Sequence, residues 1–166
     1  MNQVNRLPPP WGTMLNREQL VSFEFEGRPF TGIAGDTVAS ALAANGEWLL
    51  SRSFKYHRPR GVLTMAGQDA NTLVQLPAHP NALADRTLLR EGLVVAGQNY
   101  SGSLRSDRNA WIQKFARFLP VGFYYHAFFR PRGIWNLWSR YFRRKAGLGI
   151  IDESYRAHGY DKQYRF

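Results

Sequence analysis

The sequence predicts an α+β fold of the β-grasp type, and three observations carry that prediction. Between Val21 and Gly32 the residues V-S-F-E-F-E-G-R-P-F-T-G alternate and turn like a hairpin, a helical run follows directly, and short apolar strand signals recur at Leu73–Leu76 and Leu93–Ala96. Hairpin, helix and then strands is the order in which one helix packs across a small mixed sheet. With 166 residues, 44% of them hydrophobic, the chain can bury one core and still carry an extension.

Taken in order, residues 1–14 read as a flexible arm, because Pro8-Pro9-Pro10 favours polyproline II and leaves little to bury. The β-grasp domain is expected over residues 15–100. Its hairpin places Val21, Phe23 and Phe25 on one face and Ser22, Glu24 and Glu26 on the other, turns at Gly27-Arg28 and resumes with Phe30. Asp36 is expected as the N-cap of a helix of about ten residues that carries Val38, Ala41 and Leu42 and stops at Asn45-Gly46. Glu47–Ser53 then reads as an extended segment leading into SFKYHRPRG, Ser53–Gly61.

After Ser101 the composition changes. From Arg108 to Ile151 there is no acidic residue and there are nine Lys and Arg, so this stretch holds almost all of the formal net charge of +10. Trp111, Phe115 and Phe118 share one helical face, as do Trp135, Trp138 and Phe142, so residues 101–151 predict a basic helical extension with amphipathic helices around Pro120 and Pro131. Residues 152–166 are polar and tyrosine-rich, as in a linker. Aromatics interleaved with arginines would also suit a nucleic-acid groove or a membrane-surface helix; their position on helical faces argues instead for burial against a protein partner.

The chemical inventory is thin. No cysteine is present, which excludes disulfides, thiolate zinc sites and cysteine-held iron–sulfur clusters within these residues. His57, His79, His126 and His158 stand far apart, with no carboxylate at the spacing of a metal pair or a triad, and Gly147-Leu148-Gly149 lacks the remainder of a nucleotide-binding loop. No catalytic residue is expected. The N-terminal MNQVNRLPPPWG has no charged start followed by an apolar run, and Phe118–Phe129 is too short to span a bilayer, so a cytoplasmic location is expected.

SFKYHRPRG gathers Lys55, His57, Arg58 and Arg60 on a turn stiffened by Pro59, with Gly61 free to take positive φ. Two guanidiniums on such a turn suit bidentate contact with a phosphate or carboxylate; the alternative is a solvated basic loop. Locally the two readings stay balanced.

Five stretches in this order, AGDTVASALAANG, SRSFKYHRPRG, REGLVVAGQN, LPVGFYYHAFFRP and RRKAGLG, resemble the N-terminal region of the α subunit of bacterial heterotetrameric sarcosine oxidase, from about residue 15 to the end. The resemblance implies a β-grasp, [2Fe–2S] ferredoxin-like domain. Related cluster-bearing domains continue HRPRG with C-x4-C-x2-C, and that spacing falls here on Thr64, Asp69 and Thr72, none of which can supply a thiolate. It further implies a flavoenzyme complex that demethylates sarcosine to glycine using FAD, FMN, NAD and tetrahydrofolate, with further α-subunit domains and β, γ and δ-type subunits as partners. On that resemblance residues 152–166 lead toward a dinucleotide-binding domain, and the chain is either an excised domain or the product of a split gene. Lys55, His57, Arg58 and Arg60 are then expected at an interface or a phosphate, and Trp135, Trp138 and Phe142 at a docking surface. A sister amine or opine oxidase or dehydrogenase would share much of this domain.

Overall fold

The computed structural model describes residues 5–118, 131 and 133–146, with side chains given to Tyr141 except that of Phe118. The fold is α+β. Strand β1 (Asn16–Phe25) pairs antiparallel with β2 (Arg28–Ala34), opposing Phe23 to Phe30 and Phe25 to Arg28, with an irregularity between Asn16 and Leu20. Helix α1 (Val38–Ala44) follows. Short pairs come next: β3 (Ser51–Arg52) with β4 (Pro59–Arg60), and β5 (Leu73–Val74) with β6 (Ala82–Leu83). Strand β7 (Leu93–Val95) then returns parallel to β1, giving a three-stranded sheet in the order β2-β1-β7.

The hairpin follows from its alternation. Val21, Phe23 and Phe25 are buried while Ser22 and Glu24 are exposed, so β1 gives one face to the core. Full burial of a phenylalanine such as Phe25 stabilises by about 1.5–3 kcal/mol. The turn lies one residue earlier than expected: Glu26 (φ 53°) and Gly27 (φ 70°) both take left-handed backbone and Arg28 already belongs to β2. Two consecutive positive φ values match the right-handed twist of the flanking strands.

Helix α1 is shorter than expected, seven residues, and its cap is one residue later. Thr37 is the N-cap, its Oγ1 accepting from the Ser40 N–H at 3.2 Å while Ser40 Oγ accepts from the Thr37 N–H at 2.9 Å. Asp36 is committed elsewhere: its carboxylate accepts from the Ile33 N–H and the Ser40 hydroxyl and pairs with Arg6 at 2.5 Å. The C-terminus falls at Asn45 and Gly46 (φ 77°), as the sequence suggests.

Val38, Ala39 and Ala41–Ala44 are all buried, so α1 is covered on more than its sheet side. The segment 84–89 lies along it, the Ala39 N–H donating to the Ala84 carbonyl and the Val38 N–H to Thr87. From the N-terminal stretch the Asn5 N–H donates to the Ala44 carbonyl, so both Asn5 and Arg6 are tied to α1 or its entry.

The extended stretches expected at Glu47–Ser53 and Leu73–Leu76 contract to β3 and β5. Two linkages still tie these pairs to the body: Gln75 and Ala96 exchange backbone hydrogen bonds, and the Arg52 N–H donates to the Gln98 carbonyl. Past residue 100, Arg108–Phe118 is a 3₁₀ helix and helix α2 covers Trp135–Ala146. Gly147-Leu148-Gly149, His126, His158 and the expected linker 152–166 lie outside the described residues.

Candidate functional site

β3 and β4 make a small hairpin whose tip is Ser53–Arg58, the centre of SFKYHRPRG. Pro59 fits in β4 because it opposes Arg52 as a short outer strand and needs no N–H there. The tip closes on itself: Ser53 N–H donates to the Arg58 carbonyl at 2.9 Å, Ser53 Oγ accepts from the Arg58 N–H at 3.0 Å, and His57 N–H donates to the Ser53 carbonyl at 2.9 Å. The positive φ of this motif belongs to His57 (54°) and not to Gly61. Gly61 is needed for another reason, since a Cβ there would lie 1.9 Å from the Trp48 carbonyl oxygen.

The four basic residues divide. His57 turns inward: its Nδ1 is 2.7 Å from Asp107 Oδ2, and its carbonyl accepts from Arg52 Nη1 at 2.8 Å and Gln113 Nε2 at 3.2 Å. Lys55 and Arg58 flank Tyr56, with Nζ 4.8 Å and Cζ 4.6 Å from the ring centroid, and Arg58 is exposed. Arg60 is half-buried and its carbonyl accepts from the Leu50 N–H. Thus Lys55 and Arg58 share the Tyr56 ring, Lys55 half-buried and Arg58 exposed, while His57 is a tie to the chain beyond residue 100.

Asp107 anchors that tie. Its Oδ1 accepts from the Ser101 and Asn109 N–H groups, each at 2.9 Å, so it also caps the 3₁₀ helix Arg108–Phe118. Burial pushes its carboxyl up, but these N–H groups and the electrostatic attraction of His57 prevail and hold it below the usual aspartate value. Buried Arg52 completes the joint, donating from Nε to the Leu104 carbonyl and from Nη2 to the Arg105 carbonyl. Nearby, Glu47 receives both Arg28 and Arg105 beside a cavity of about 140 Å³ lined also by Phe25, Glu26 and Leu104. Burial raises its carboxyl, and the two guanidiniums bring it below its ordinary value.

The loop after HRPRG contains Thr64, Asp69 and Thr72, the positions on which the resemblance lays the C-x4-C-x2-C spacing. Thr64 is exposed, whereas Asp69 and Thr72 are buried. Asp69 Oδ2 accepts from the Leu63 N–H at 2.7 Å and the Thr64 N–H at 3.1 Å, and Oδ1 accepts from the Asn71 N–H at 2.9 Å. A fourth side chain, Asp85, reaches the same loop and accepts the Asp69 N–H at 3.1 Å. A [2Fe–2S] cluster is held by cysteine thiolates, two of them replaced by histidine in Rieske centres, and the hydroxyls and carboxylate at these positions do not fit one. Among the described residues no group of three or more His, Cys, Asp or Glu side chains is placed to hold a metal ion.

Of the expected docking residues, Trp135 and Trp138 lie on α2, half-buried, with Trp138 edge-on to Tyr141 at 6.0 Å. Phe142 belongs to the same helix; its side chain is outside the described residues. Asp85 and Asp107 escaped sequence reasoning because each lacks a motif, and Arg52, inside SRSFKYHRPRG, was not singled out because its partners lie some fifty residues on. The only available signal was Asp107 one residue ahead of a helical run, a capping position.

Fold and composition together define a ferredoxin-type domain without a cysteine among its residues. The chain belongs to the 2Fe-2S iron-sulfur cluster binding domain family, whose profile matches residues 18–100. It is similar to sarcosine oxidase subunit alpha of Rhizobium meliloti (strain 1021), with 42% identity over 156 residues, covering 91% of this chain and 16% of that protein. The sarcosine oxidase subunit alpha of Corynebacterium sp. (strain U-96) is 28% identical over 95 residues, covering 57% of this chain and 10% of its own length. Among solved structures, L-proline dehydrogenase from P. horikoshii aligns with a TM-score of 0.44 and 24% identity, over 53% of this chain and 17% of that one. Among the described residues no helix is long and apolar enough to cross a membrane.

Proposed function

We propose that this chain is the N-terminal structural and assembly region of a sarcosine oxidase α-type subunit, within a cytoplasmic flavoenzyme complex that oxidatively demethylates sarcosine to glycine. The observation that carries the reading is the 156-residue match to a sarcosine oxidase α subunit, which is too long to fit inside residues 18–100 and therefore includes part of the basic aromatic extension. In this reading the chain itself performs no redox step. The ferredoxin-like domain is a platform, and the joint of His57, Asp107 and Arg52 fixes the hairpin against the start of the extension.

The pair of Lys55 and Arg58 on Tyr56, with Arg60 behind it, contacts an anionic surface on another domain or subunit, or the phosphate of a flavin or NAD bound there. Trp135, Trp138 and Phe142 dock on the same complex. Exposure of Leu137 (64%) and Tyr141 (51%) on α2 supports a helix made to be covered. The test is co-purification with the products of the neighbouring genes. Recovery of a flavin-containing complex is expected, and a chain that purifies without any flavin-bearing partner refutes the assembly role.

A further inference from the structure

We propose that Asp69 is a built-in anion that organises the former ligand loop, doing within the chain what a metal cluster does for related domains. Its two carboxylate oxygens collect three backbone N–H groups from both sides of the loop: Leu63 and Thr64 on Oδ2, Asn71 on Oδ1. Converging N–H dipoles make a site for negative charge. In an iron–sulfur domain such donors point at anionic sulfurs; here they meet a carboxylate of the chain's own.

The remaining contacts make Asp69 a hub. Its carbonyl accepts from the Thr72 hydroxyl at 2.9 Å and the Thr72 N–H at 3.1 Å, and its own N–H is held by Asp85. Asp69 and Thr72 are 3% and 0% exposed, so the hub is internal. The positive ends of three N–H dipoles surround the carboxylate and oppose a cation there. The loop is therefore set by a covalently attached charge and needs no ligand to close.

The test is amide hydrogen exchange in the full-length protein. In Asp69→Asn, which keeps the shape and removes the charge, the Leu63, Thr64 and Asn71 amides should lose about tenfold or more of their protection, since hydrogen bonds to a charged acceptor are the stronger kind. Amides of β1 and β7 should keep theirs, which shows that the variant is folded. Wild-type protection of the three loop amides in Asp69→Asn overturns the proposal. A second arm needs no variant: ferrous iron and sulfide added anaerobically to the wild type should leave loop exchange unchanged, whereas slowed exchange accompanied by visible iron–sulfur absorption also overturns it.

Discussion

Gly61 passes so near Trp48 that a single added methyl cannot be accommodated without moving backbone, because the obstructing atoms are the Trp48 carbonyl oxygen and carbon. Gly61→Ala should destabilise the domain by about 1–3 kcal/mol, the usual cost of forced overpacking, read by urea unfolding. An unchanged midpoint would mean that the Trp48 segment yields. Asp107 gives a pH signature. Its carboxyl titrates below the unfolded value, so its contribution to stability is complete above about pH 4 and disappears as pH falls through the folded value. Asp107→Asn should be less stable at neutral pH and show a shallower loss on acidification than the wild type, measured as thermal midpoint against pH. The basic motif illustrates what sequence can and cannot tell at this scale. Residue types marked Lys55, His57, Arg58 and Arg60 as one group, yet His57 is withdrawn from it by Asp107, 50 residues away. Spacing along the chain holds no information about that pairing.

Among the elements, those with an apolar run or local periodicity were legible, β7 at Leu93–Val95 included, and those without one were not. The β1–β2 hairpin is written in the alternation of Val21, Phe23 and Phe25, and the end of α1 in Asn45-Gly46. β4 and β6 have two residues each and exist because of what lies opposite them, so no periodic signal could announce them. The displaced N-cap has a comparable cause: Asp36 and Thr37 are both good caps, and Arg6, 30 residues away, claims the first. Thr37→Ala should therefore cost about 1 kcal/mol, seen as a lower thermal midpoint, with Asp36 unable to substitute while held by Arg6. In the β3–β4 hairpin, Arg58→Ala with Arg60→Ala should leave the fold intact and weaken assembly. If these are interface anchors, complex yield or partner affinity should fall about tenfold or more by titration, and an unaltered affinity would assign the arginines to solvent.

At the scale of the whole molecule, charge and aromatic residues are segregated. The ferredoxin-like part, matched over residues 18–100, holds the core of Phe25, Leu42, Leu50 and Val74, while the acid-free stretch from Arg108 to Ile151 carries nine cations. Replacing Trp135 and Trp138 by Ala should leave the stability of the β1–β7 core unchanged and reduce recovery of the complex, as judged by unfolding and co-purification side by side. The topology also bears on how the protein is made. β1 is completed at Phe25, but its parallel neighbour begins at Leu93, and the turn residue Glu26 waits for the Gly97 N–H and the Tyr100 hydroxyl. During synthesis the first hairpin therefore leaves the ribosome with one side of β1 unpaired, and it must stay that way until some seventy further residues have been added. The nascent chain spends that interval with an open strand edge, which makes the time before Val95 emerges the period in which chaperones matter most to this domain.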